Sequence, residues 1–156
     1  MDERIAWVFL AYRLPREPST PRITVWRKLK RLGVAQLLDG LVALPLDARN
    51  REQLEWIAQE ITQSGGTATL WRASSLTARQ EREVVGGMQE VTAAEYDQII
   101  AEARNAPVDP VARRRAVKRL RGELRRIRQR DYFPPPNREE AKQAVDALAA
   151  EVEAAR

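Results

Sequence analysis

The chain of 156 residues contains no cysteine and no histidine. Those absences exclude disulfides, zinc sites of the Cys/His type, thiol nucleophiles and histidine general bases. They say nothing of redox compartment. Long apolar runs are also missing: the longest, Ile5 to Tyr12, is far shorter than the ~20 residues a membrane helix needs. The acidic pair Asp2 and Glu3 precedes it, where a signal peptide would begin with basic residues. The expectation is a cytoplasmic protein without membrane association. Charge of one sign, by contrast, is in excess: 27 Lys and Arg stand against 22 Asp and Glu, giving +5 net. That balance favours anionic partners without speaking to the fold. An apolar content of 44% is enough to bury a core.

Two halves follow different rules, and the reading divides the chain into an α/β domain over 1–75 and a helical region over 76–156. Ile5 to Leu14 is rich in β-branched and aromatic residues and reads as a buried strand. A helix over Pro21 to Leu32 follows, with Ser19 or Thr20 as its cap, Pro21 at its first position and Gly33 at its end. Two apolar runs, Ala35 to Leu38 and Gly40 to Leu46, surround Asp39-Gly40, a strong hairpin signal. Asn50 to Gln63 is helical, with Leu54, Ile57, Ala58 and Ile61 on one face. Ser64-Gly65-Gly66 breaks it, and Thr67 to Ala73 reads as a last strand. The order β-α-β-β-α-β predicts a ferredoxin-like antiparallel sheet with both helices on one face. The fold class is therefore α+β, with an all-helical C-terminal half.

In that second half, Thr77 with Gln80, Thr92 with Glu95, and Asn137 with Glu140 have capping-box spacing. Tyr96, Ile99, Ile100 and Ala103 make an apolar stripe. A helix begins after Asp109 with Pro110 at its first position and runs to about Arg130, where Asp131-Tyr132-Phe133 and three prolines end it. Arg138 to Ala154 forms the last helix. Gly86-Gly87, Asn105 to Pro110 and Pro134 to Asn137 are the expected flexible points.

Val111 to Arg130 holds ten basic residues against one acid, Glu123. Arg114, Arg115, Lys118, Arg121, Arg125 and Arg128 form a stripe opposite a Val117/Leu120/Leu124/Ile127 seam. A solvated face is the ordinary reading of a charged helix, but such faces mix signs, and like charges at i, i+4 repel. Guanidinium forks match phosphate oxygens, so the stripe is a candidate DNA or anion site. The first helix carries a smaller ridge, Arg27, Lys28, Lys30 and Arg31, opposite Val25, Trp26, Leu29 and Leu32. Trp56 falls among Glu52, Gln53, Gln59 and Glu60, away from the apolar face. An exposed tryptophan there is a candidate partner interface, and coverage by the helical half is the alternative. Trp7, Trp26 and Trp71 are assigned to packing.

Catalysis is poorly provided for. Gly65-Gly66 and Gly86-Gly87 lack the pattern of a phosphate loop. A ferredoxin-like nuclease needs a carboxylate at the end of the first strand, and Tyr12-Arg13-Leu14 supplies none. Asp39 belongs to the turn and Asp47 to a helix start. The expectation is not an enzyme, with no catalytic residues, no metal and no cofactor.

The opening strand-loop-helix block resembles the start of the ChrB family of chromate-resistance regulators. The residues that carry the resemblance are Tyr12-Arg13-Leu14-Pro15, Pro18-Ser19-Thr20-Pro21-Arg22 and Val25 to Gly33. Asp39-Gly40, Leu44-Pro45, Gln53 to Trp56, Gly65-Gly66, Glu95-Tyr96 and Arg128 to Phe133 extend it. The resemblance implies a bacterial transcriptional regulator responding to chromate, and a further C-terminal domain in longer members. Together with the cationic helices it predicts a DNA-binding homodimer on a two-fold operator. Chromate is the effector so implied. Without Cys or His, any oxyanion must be held by arginine, lysine or backbone N–H groups. The alternatives are a small-oxyanion (chromate or sulfate) module and a protein-interaction module without DNA binding.

Overall fold

The computed structural model describes residues 3–155; Asp2, half of the acidic pair ahead of the first strand, lies outside the described residues. The elements run β1 (Trp7–Arg13), α1 (Thr20–Leu32), β2 (Ala35–Leu38), β3 (Leu41–Pro45), α2 (Ala48–Gln63), β4 (Thr67–Ala73), α3 (Ala78–Arg104), α4 (Pro110–Gln129) and α5 (Arg138–Ala154). The four strands lie in the order β2-β3-β1-β4, each neighbouring pair antiparallel. This is the ferredoxin-like split arrangement, an α+β fold followed by helices, as the alternation of signals predicts. The chain divides into two compact units, Met1–Met88 and Gln89–Arg156, and the division falls within α3.

In the first unit, side chains alternate across the sheet. Val8 and Leu10 of β1 stand opposite Leu44 and Val42 of β3, and all four are buried. α2 packs on β4 and β1, and α1 packs on α2. Val25 and Leu29 of α1 and Leu54, Ile57 and Ile61 of α2 are buried with them. Each such side chain contributes about 1.5–3 kcal/mol of transfer free energy. Trp7 is buried as expected, but Trp71 is not a packing residue: it is 60% exposed. In register it faces Phe9, so pleat alternation turns it away from the side of Leu70, and its indole N–H donates to Thr69 Oγ1 at 2.8 Å.

The two helix starts differ. Asp47 has extended φ and ψ (−144°, 172°), and its carboxylate accepts from Asn50 N–H at 2.7 Å. Ser19 precedes α1 with helical φ and ψ (−77°, −17°) and makes no side-chain cap bond. Thr20 is already helical, so Pro21 takes the second position rather than the first. An extended cap residue swings its oxygen over the free N–H groups; Ser19 does not adopt that conformation. Gly33 ends α1 at φ 78°, in the left-handed region. Gly66 is set by close approach: a Cβ there would stand 2.3 Å from Arg13 O.

α3 corrects two expectations. Gly86-Gly87 does not interrupt it, and Thr92 lies inside the helix rather than capping a new one. Thr77 takes the cap alone, accepting from Gln80 N–H at 3.2 Å, while Thr92 turns its hydroxyl back to Gln89 O. Packing along Tyr96, Ile99, Ile100 and Ala103 outweighs glycine's cost of about 1 kcal/mol per site. These residues form one core with Val117, Leu120, Ile127, Ala141, Val145 and Leu148 from α4 and α5. Asn137 does not close a capping box either; its amide donates to Ala93 O and Asp97 Oδ1, both at 2.8 Å, on α3.

Candidate nucleic-acid and anion interface

In the second unit, Asp109 caps α4, accepting from Ala112 N–H at 2.9 Å, and Pro110 follows it at the helix start. Val117, Leu120 and Ile127 bury the seam, which points the basic residues outward. The structure sorts nine of those ten residues into two sets, and Arg126, exposed, falls in neither. Arg113 pairs with Glu151 of α5 and donates to Pro107 O at 3.0 Å. Arg119 donates to Glu102 of α3 at 2.8 Å and to Glu123 at 3.1 Å. The hydrogen bond to Glu102 is the leading influence raising the Arg119 pKa. Arg130 pairs with Glu95. These three arginines clamp α4 to its neighbours.

The predicted stripe is the other set. Arg114, Arg115, Lys118, Arg121, Arg125 and Arg128 are exposed, and among the described residues none of them has a carboxylate within ion-pair distance. Arg114, Lys118, Arg121 and Arg125 line an open groove of about 690 Å³ between α4 and α5, with Val117 and Val152 also in its walls. Asp146 and Glu153 stand on the α5 wall, a counter-charge that the composition of α4 alone does not reveal. Arg115 and Arg128 lie outside the groove lining.

The first unit offers a smaller site. Arg27, Lys28, Lys30 and Arg31 are exposed on α1. Lys28 donates to Glu60 of α2 at 2.7 Å, tying the two helices together. Trp56 is 63% exposed. It shares a groove of about 480 Å³ with Lys28, Arg31, Leu32, Gln53 and Glu60. Two ridge cations and the tryptophan, unrelated in sequence, thus meet; Arg27 and Lys30 do not line this groove.

A buried polar pair braces α4. The Tyr96 hydroxyl donates to Asp131 Oδ2 at 2.7 Å, and the Asp131 side chain is only 1% exposed. Burial, and then this hydrogen bond, push the Tyr96 phenol well above its usual range. Glu95-Tyr96 thereby engages Arg130-Asp131 residue by residue. Among the described residues no group of three or more Asp or Glu could hold a metal ion. No helix there is long and apolar enough to cross a membrane.

A family model described as "Protein ChrB, N-terminal" matches residues 22–108. Protein ChrB of Cupriavidus metallidurans (strain ATCC 43123 / DSM 2839 / NBRC 102507 / CH34) is 29% identical over 132 residues, covering 83% of this chain and 41% of that protein. The chain therefore spans less than half the length of this curated relative. No solved structure matches. With more than half of its residues under the family model, the chain belongs to the ChrB N-terminal family.

Proposed function

We propose that this chain is the DNA-binding part of a cytoplasmic, chromate-responsive transcriptional regulator that controls chromate-resistance genes, acting as a homodimer. The observation that carries the reading is the Arg114/Arg115/Lys118/Arg121/Arg125/Arg128 stripe, whose charges form no ion pair among the described residues while Arg113, Arg119 and Arg130 do. Six like charges on one helix repel one another. Duplex phosphates relieve that repulsion and release condensed counterions as they are neutralised. The α1 ridge is the secondary contact. Family membership supports the link to chromate resistance. The role is binding rather than catalysis.

The test is a titration of labelled promoter DNA, with and without chromate, at two salt concentrations. Expected is a Kd that rises steeply with salt, with a log–log slope of about −0.9 per phosphate contacted. A flat salt dependence sinks the reading. A chromate effect on this chain alone would put the sensor within it. The α4–α5 groove supports a second reading, a small-oxyanion site among Arg114, Lys118, Arg121 and Arg125. Calorimetry with chromate decides it, and absence of both heat and thermal shift counts against it.

A further inference from the structure

We infer that the α1–α2 groove of the first unit is a binding site for a free nucleoside phosphate, separate from the α4 stripe. Its two walls carry complementary chemistry. On α1, Lys28 and Arg31 present cations one turn apart, and among the described residues Arg31 pairs with no carboxylate. On α2, Trp56 presents a largely open indole, with Gln53 one turn before it and Gln59 and Glu60 one turn after. A planar base stacks on an indole with little regard to its identity. Amides beside the ring meet the polar edge of the base, and the cations opposite take the phosphates.

Size favours a compact ligand. The groove, at about 480 Å³, falls within the ordinary range for small-molecule sites. The Lys28–Glu60 ion pair joins the two walls at 2.7 Å, and a nucleoside phosphate is small enough to be held between them. It can also compete for Lys28, since the phosphate offers a denser negative charge than the single carboxylate of Glu60.

Calorimetry and tryptophan fluorescence with ATP, GTP and AMP on the intact chain test this. Expected are saturable binding and fluorescence quenching, both stronger for the triphosphates than for AMP. Trp56→Ala should weaken binding by about tenfold, the scale of one lost base–aromatic stack, and Trp56→Phe should retain most of it. Arg31→Gln should weaken triphosphate binding more than AMP binding. The Arg121→Ala/Arg125→Ala variant should keep the Trp56-dependent quenching by nucleotide, which separates this inference from both readings of the α4 stripe. Absence of heat and quenching into the millimolar range overturns the site. So does binding of single-stranded oligonucleotides or acidic peptides without binding of mononucleotides. Quenching that survives Trp56→Ala places the nucleotide elsewhere and overturns it as well.

Discussion

Helices α1 and α4 both turn a cationic face to water, yet their charges are arranged differently. On α4, acids from α3, α5 and α4 itself take up Arg113, Arg119 and Arg130, and the stripe forms no ion pair among the described residues. On α1, Lys28 bridges to Glu60 of the neighbouring helix, and the groove it lines contains a tryptophan. A long stripe without such ion pairs among the described residues, with only Asp146 and Glu153 across its groove, suits a polymer of phosphates. A short ridge beside an indole suits one small ligand. Net charge alone would have lumped the two together.

The largest separation should come from charge removal. Arg121→Ala/Arg125→Ala should weaken duplex DNA binding on every sequence tested and make the salt slope shallower by about two phosphate equivalents. Arg27→Ala/Lys30→Ala on α1 should do so less. Equal losses from both variants, in fluorescence anisotropy at matched salt, would remove the distinction drawn between the two helices.

Next in size is the brace behind α4. Tyr96→Phe strands the buried Asp131 carboxylate, whose other neighbour, Arg138, stands at 3.9 Å. The expected loss is about 1.5–3 kcal/mol in urea unfolding. Because the folded-state pKa of Tyr96 is raised, its contribution is complete below the ordinary phenol pKa of ~10. It is lost as pH climbs through the folded-state value. The gap between parent and variant should therefore be constant near neutrality and narrow only in strong alkali.

Helix starts give a smaller contrast. Asp47→Ala removes a formed cap and should cost about 1 kcal/mol. Ser19→Ala should leave stability unchanged, since Ser19 makes no cap bond. The clamp gives a loss no larger than that of the Asp47 cap: Arg119→Gln breaks exposed pairs worth up to about 1 kcal/mol and should leave DNA affinity untouched. An affinity loss there would break the sorting of α4 into paired and unpaired sets.

Local chemistry made much of the fold legible. Asp39-Gly40 specifies its hairpin, Asp47 and Asp109 their helix starts, and the alternation of strand and helix signals the sheet. Features settled by distant neighbours were not legible. Trp71 looks like a core residue until pairing with β1 fixes which face of the sheet it occupies. Thr92 satisfies a capping pattern, but packing on α4 and α5 keeps the helix unbroken through it. At the candidate sites the stripe could be read from helical spacing. Which arginines are neutralised depends on Glu95, Glu102 and Glu151 approaching from other helices. That Trp56 and Arg31 line one groove follows from the packing of α1 on α2, which no local pattern encodes.

The unbroken course of α3 through Gly86 and Gly87 has a consequence for how it opens. A methyl group at either glycine would meet nothing within 4 Å, so no steric demand requires a bare Cα there. Both sites carry glycine's backbone entropy without a packing return. The amides around them should exchange with deuterium earlier than those around Ile99 and Ile100, and alanine at both positions should slow that exchange about tenfold or more.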